Sequence, residues 1–147
     1  MPRPQAGLTL IELLVVLVVI GLATTAVALT MPAGDATLRR QAEDLGLRLR
    51  HARDEAILGG RAMQVGIDAA GYRFSRREFG AWHAIDDAPF APRAWADGVA
   101  VVLPEQRDRL SVRFDATGTA EPQRLRLQRD GTQAQIDVDA AGQVRVQ

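Results

Sequence analysis

One carboxylate in this chain sits inside an apolar run. Glu12 stands near the start of Leu8-Thr9-Leu10-Ile11-Glu12-Leu13-Leu14, and no further charge occurs until Asp35. An acidic side chain at mid-membrane costs about 2.5–3.5 kcal/mol on the mildest insertion scale, less near a helix end, so such residues usually have a partner. The chemistry open to Glu12 is therefore ion pairing. The other polar groups point to no catalysis. His51 and His83 are isolated and lack metal-ligand spacing. Ser75 and Ser111 have no acid–base constellation around them. Asp86-Asp87 and Asp137-x-Asp139 could offer oxygen ligands to a hard cation, but such a cation needs six or more, and they read as loop and turn carboxylates. With no cysteine there is neither a disulfide nor a thiolate metal site. No glycine-rich phosphate loop is present. The expectation is a protein that is not an enzyme, with no cofactor and no metal.

The element that carries Glu12 is the segment Leu8–Met31, long enough to span a bilayer, which needs about 20 apolar helical residues. A soluble domain of roughly 110 residues has too small a core to cover all faces of such a helix. An ordinary secretory signal peptide is the rival, with Arg3 as its charged start and Ala26-Val27-Ala28 as a cleavage site. Its apolar core would normally be about 7–15 residues and would have no use for Glu12. Arg39, Arg40, Arg48 and Arg50 follow the span and only Arg3 precedes it. That count alone would place the C-terminus inside, although long following domains translocate regardless of charge. Pro32 and Gly34 are expected to kink or break the rod, because proline removes a helical hydrogen bond and disfavours helix at the preceding residue.

Gly7-Leu8-Thr9-Leu10-Ile11-Glu12 followed at once by this helix resembles the class III signal of type IV pilins and type II secretion pseudopilins. The resemblance implies a leader of residues 1–7, cut between Gly7 and Leu8 by a membrane-embedded prepilin peptidase. N-methylation at Leu8 is implied too, at a position where the family usually has Phe. Glu12 then matches the glutamate five residues into the mature chain. Cleavage would give Glu12 its partner. Four residues along a helix rise about 6 Å, so the carboxylate lies near the depth of the Leu8 amine. In a staggered bundle, one subunit's carboxylate can meet its neighbour's amine. The resemblance also puts residues 35–147 in the periplasm, with Pro32 letting the rod bend during assembly.

From Asp35 onward charges recur every few positions. Asp35 is a plausible N-cap. Leu38, Ala42, Leu45, Leu49, Ala52 and Ala56 follow at helical spacing, one apolar stripe destined for a sheet. Asp44/Arg48 and Arg50/Asp54 are i,i+4 pairs, and Gly59-Gly60 ends the helix. After Gly60 the period becomes two. Met63, Val65 and Ile67 alternate, Ala70-Gly71 turns the chain, and Tyr72 and Phe74 follow. Residues 79–98, with Pro89 and Pro92, read as a loop. Residues 99–103, 110–115, 124–129, 134–138 and 144–146 read as strands, with Asp115…Gly118, Asp130-Gly131 and Asp139…Gly142 as turns. Arg124, Arg126 and Arg129 around Leu125 and Leu127 read as the solvated face of a half-buried strand. The fold class is α+β: a long N-terminal transmembrane helix, then an amphipathic helix packed on an antiparallel β-sheet meander, pilin-like.

The second half resembles the GspH/FimT domain. Ala52-Arg53-x-Glu55-Ala56-Ile57-x-x-Gly60, Tyr72-x-Phe74, Trp82, Arg113-Phe114-x-x-x-Gly118 and Asp139-x-x-Gly142 carry that likeness. Asp86-Asp87-x-Pro89-x-x-Pro92-Arg93 leans towards the secretion branch. The resemblance implies three regions: the leader 1–7, a transmembrane and assembly helix 8–31, and a periplasmic domain 35–147. It implies a minor pseudopilin of the type II secretion pseudopilus in the bacterial inner membrane. Its partners would be other minor pseudopilins, the major pseudopilin, the prepilin peptidase and an inner-membrane assembly platform. A FimT-like minor pilin linked to DNA uptake is the near alternative, and a periplasmic binding module released by signal peptidase the distant one. A net charge of zero gives no reason to expect a nucleic acid partner.

Overall fold

The computed structural model describes residues 10–29 and 33–147. The chain divides after Ala33 into two units. The first contributes one helix, α1, Leu10–Leu29. From Leu10 to Ile20 leucine, valine and isoleucine surround its axis with Glu12 as the single polar side chain, so that stretch has no polar stripe for water. The large apolar side chains from Leu10 to Ile20 are all exposed. Over the side chains described, which in α1 run from Leu10 to Gly21, no helix is long and apolar enough to cross a membrane.

The second unit is built on α2, Ala33–Gly59. The helix begins before Asp35, so that residue is not its N-cap, and Gly34 lies inside it. A single glycine costs a helix about 1 kcal/mol, too little to break one held by packing. Pro32 lies outside the described residues. At the other end Arg61 N donates to Ala56 O (3.1 Å) and Gly60 N to Ile57 O (3.3 Å), with Gly60 at φ 59°. This is the Schellman arrangement, and Gly60 supplies the left-handed residue it needs.

Six of the α2 residues with apolar spacing, Leu38, Ala42, Leu45, Leu49, Ala52 and Ala56, are buried. They lie under two antiparallel sheets. The first contains β1 (Met63–Asp68), β2 (Gly71–Glu78), β3 (Ala81–Ile85), the short β4 (Arg93–Ala94) and β6 (Arg109–Phe114). Its order is β3-β2-β1-β6, with β4 beside β2. The second runs β5-β7-β8-β9, where β5 is Ala100–Val101, β7 Gln123–Arg129, β8 Thr132–Val138 and β9 Val144–Val146. The expected single meander is thus corrected to two sheets. β6 leaves its sequence neighbours and pairs with β1, setting Met63 opposite Phe114, Val65 opposite Val112 and Ile67 opposite Leu110. That register puts every large apolar side chain of both strands on the core face.

Residues 79–98 are not wholly loop. They hold β3 and β4, and β3 escapes the period-two signal because most of its side chains are exposed. β2 and β3 are joined by the two-residue turn Phe79-Gly80, with Glu78 opposite Ala81. Both turn residues have positive φ, 48° and 85°, as a type I′ turn requires. For an L-residue other than glycine this costs about 1–2 kcal/mol, and Phe79 is fully exposed.

Polar ties fix α2 against the first sheet. Tyr72 donates its hydroxyl to Asp44 (2.7 Å), Arg48 pairs with the same carboxylate (3.1 Å), and Arg48 also donates to Pro89 O (2.7 Å). Burial, and then the Asp44 hydrogen bond, raise the Tyr72 pKa. The anticipated Arg50/Asp54 pair does not form. Arg50 reaches Val144 O at 3.2 Å, and the additional helical pair is Arg39–Glu43 at 2.8 Å.

Leu45 is completely buried. Leu45→Asp in a fragment covering residues 34–147 is expected to destabilise it by about 3 kcal/mol or more through an unpaired buried charge. Urea melts of the two fragments check this, and an unchanged midpoint would remove Leu45 from the core.

Candidate assembly site

Of the residues singled out for processing and assembly, Glu12 alone is described. Gly7, Leu8 and Pro32 lie outside the described residues. Glu12 occupies the first turn of α1 and is exposed. A carboxylate there complements the positive end of the helix dipole. It is the single ionisable group on a helix surface otherwise made of leucine, isoleucine and valine from Leu10 to Ile20. The arrangement offers one strong hydrogen-bond acceptor, one negative charge and a broad apolar surface. Such a surface can bind lipid or other apolar helices, and the charge can select a cationic partner among them.

In the second unit, sequence segments far apart converge at the C-terminal end of α2. Arg53 donates to Gly118 O (3.2 Å). A Cβ on Gly118 would lie 2.6 Å from Ile57 Cδ1, and one on Gly142 would collide with Gly118 O. Both glycines have positive φ, 82° and 72°. The helix end, the turn after β6 and the turn before β9 therefore touch with no space for side chains. Each turn is wound on an aspartate. Asp115 accepts from the backbone and hydroxyl of both Thr117 and Thr119, at 2.6–3.1 Å. Asp139 accepts from Ala141 N (3.0 Å) and Gln143 N (2.9 Å). The Thr117 and then Thr119 hydrogen bonds hold the Asp115 carboxyl well below the usual carboxylate range. Hydrogen bonds from Gln135 and then Arg124 lower Asp137, and one from Arg76 lowers Glu78. Sequence reading singled out Arg53, Gly118, Asp139 and Gly142 as motif residues. Their contact was not visible there, because long-range pairing leaves no local signal.

The remaining polar candidates are scattered. His51 is exposed on α2, beside the buried stripe that passes through Leu49 and Ala52. His83 is exposed on β3, Ser75 is half-buried and Ser111 is exposed. Asp87 O accepts from Phe90 N in a turn (2.9 Å). Arg124 pairs with Asp137 (3.0 Å) and Arg129 with Asp130 (3.4 Å), over the buried Leu125 and Leu127. Among the described residues no three acidic, histidine or cysteine side chains could share a metal ion.

Residues 41–142 match the family described as type II transport protein GspH. The chain belongs to the GspH family. Residues 2–28 match the prokaryotic N-terminal methylation motif. The type II secretion system protein H of Aeromonas hydrophila is 36% identical over 75 residues, covering 50% of this chain and 41% of that relative. The match thus spans less than half of the relative's length. Among solved structures, the minor pseudopilin EpsH of the Vibrio cholerae type 2 secretion system aligns with a TM-score of 0.62 at 20% identity. That alignment covers 75% of this chain and 95% of EpsH. The type IV minor pilin FimU of Pseudomonas aeruginosa aligns with a TM-score of 0.58 at 20% identity, covering 75% and 87%. At these identities the structural likeness is one of fold. It places the helix-on-two-sheets domain in the pilin-like α+β class.

The depressed carboxylates fix a direction of pH dependence. A group whose folded pKa lies below its unfolded value stabilises the fold above the unfolded value, about 4 for Asp and Glu. That stability is lost as pH falls through the folded pKa. The fragment covering residues 34–147 should therefore hold its urea midpoint from pH 7 to about 5 and lose it progressively below about 4. Asp115→Asn should flatten part of that decline. Identical acid profiles for the two fragments would show that the Asp115 turn contributes nothing.

Proposed function

We propose that this chain is a minor pseudopilin of a type II secretion pseudopilus, anchored in the bacterial inner membrane by α1 with its second unit in the periplasm. One observation carries the reading. The Gly7-to-Glu12 signal, within a matched N-terminal methylation motif, stands on the same chain as a GspH-family domain. The twenty helical residues of α1 rise about 30 Å, the thickness of a bilayer's hydrocarbon core. The motif match favours prepilin processing over an ordinary signal peptidase. The family match and the Aeromonas relative favour secretion over a type IV pilus, the setting of FimU.

On this reading the work is mechanical. Prepilin peptidase cuts between Gly7 and Leu8, and Leu8 becomes the methylated N-terminus. The inner-membrane platform draws α1 into a bundle with the helices of other minor pseudopilins and the major pseudopilin. Glu12 meets a neighbour's terminal amine there, in surroundings of low dielectric where opposite charges attract strongly. The filament then assists export of folded proteins across the outer membrane. Pro32 serves as the break that lets the rod adjust during assembly.

Two substitutions separate processing from docking. Gly7→Asp should leave an unprocessed precursor, read by mass spectrometry of the intact protein. A mature chain starting at Leu29 would end the pilin-like reading. Glu12→Ala and Glu12→Gln should be inserted and cleaved normally, since removing the charge makes the span more apolar. Both should lose crosslinks to other pseudopilins, together with secretion of an exported enzyme. Normal crosslinks and secretion in both variants would show that Glu12 does not set register.

A further inference from the structure

The tip and outer face of the β2–β3 hairpin combine features that the domain's own stability does not explain. Phe79 occupies a left-handed backbone position that asparagine or glycine fills more easily, and it is exposed to its full extent. Nothing inside the domain offsets that conformation. Directly behind it, Trp82 stands opposite Arg77 in the ladder, and the Arg113 guanidinium lies over the Trp82 ring at 5.3 Å. Further along the same outward face are Arg73 and Arg109, across a floor made by Ser75, Gly66 and Ser111. Arg73 has Asp68 at 3.8 Å. The side chains of Arg77 and Arg109 form no ion pair among the described residues. A guanidinium stacked on a ring keeps its planar fork available for a carboxylate. Phenylalanine, tryptophan and arginine together are the composition of interface hot spots.

We infer that the β2–β3 hairpin is a docking element whose Phe79 inserts into an apolar socket on a neighbouring filament subunit, with Arg77 and Arg113 engaging carboxylates beside that socket and Arg109 one farther along the same face. The inference rests on the filament reading and deepens it by naming a contact made by the second unit. Charge complementarity sets the occupant's chemistry, since these arginines need acidic partners. A second copy of this chain does not fit. An isologous contact would set the same arginine face against itself, and like charges repel. Single-stranded nucleic acid fits poorly too. Its bases stack on aromatic faces lying open on a sheet, whereas the described face of Trp82 is taken by Arg113 and Phe79 projects from a turn.

The test uses the full-length chain in detergent with the other pilin-like subunits of its own organism, each purified. Phe79→Asn relieves the left-handed position and removes the ring. The expected result is a Tm equal to or above that of the parent, with affinity for one partner subunit reduced about tenfold or more, as for loss of an aromatic hot spot. Arg77→Glu with Arg109→Glu should weaken the same complex and lessen its dependence on salt, and Phe79→Leu should restore part of the affinity. A Phe79→Asn protein that binds as the parent does would overturn the hairpin contact and leave the filament reading standing. A parent that binds none of the subunits removes both. A lowered Tm for Phe79→Asn would make Phe79 a structural residue, and that too overturns the inference. Phe79-dependent dimerisation in sedimentation, or Phe79-dependent binding of a thymidine oligonucleotide, would do the same by assigning the hairpin to another occupant.

Discussion

The folded domain depends on one constraint: a single helical stripe has to serve two sheets at once. Leu38, Ala42, Leu45, Leu49, Ala52 and Ala56 share one continuous core with Met63, Val65, Phe74 and Phe114 of the first sheet and Leu125, Leu127 and Ile136 of the second. The stripe mixes Leu38, Leu45 and Leu49 with Ala42, Ala52 and Ala56, so the helix can approach closely at some turns and fill space at others. Gly46 extends the close approach towards β9. A Cβ there would meet Val146 Cγ2 at 2.6 Å. Without the helix, each sheet would present one apolar face to water, and neither has enough strand length to close on itself.

Apolar packing does not by itself choose an angle or a register, and polar ties do that here. Near the middle of α2, Asp44 receives both Tyr72 and Arg48, and Arg48 continues to the Pro89 carbonyl. At the C-terminal end Arg53 reaches Gly118 where two aspartate-wound turns meet. These ties join α2 to the first sheet at one point and to the turns of both sheets at another. Apart from the local Asp44–Arg48 pair, their shared feature is a charged donor or acceptor satisfied by groups distant in sequence. Such bonds are stronger than neutral ones and geometrically demanding.

The two units ask different things of their surroundings. α1 carries apolar side chains all round its described surface, with one carboxylate, so it buries none of them within its own unit. The second unit buries its own core. On the proposed function, a chain divided in this way is held in a membrane before assembly and carries an already folded domain into the filament. That division agrees with membership of the GspH family and with the N-terminal methylation motif.

Local periodicity made much of this legible in the amino-acid sequence. The α2 stripe, the Gly59-Gly60 stop, β1 and β6 to β9 follow from the spacing of apolar residues and from turn chemistry, which act within a few residues. So does the apolar rod with Glu12 and its resemblance to a prepilin signal. Only the tertiary structure decided that β6 crosses to β1 and splits the expected meander into two sheets, because pairing partners are chosen by burial of whole faces. The same holds for β3, whose mostly exposed residues carry no alternation and which exists because β2 offers it a ladder. Asp35 shows the converse: a good capping residue was overruled because the helix could extend past it at small cost. Arg53, Gly118 and Gly142 were visible as motif residues, but their meeting was not. Phe79 lies in a stretch without local periodicity, and only the folded hairpin gives it a left-handed backbone and full exposure. Sequence thus determined what each segment prefers to be, through short-range sterics and hydrophobic period. The tertiary structure decided which segments meet, because that choice minimises exposed apolar surface over the domain as a whole.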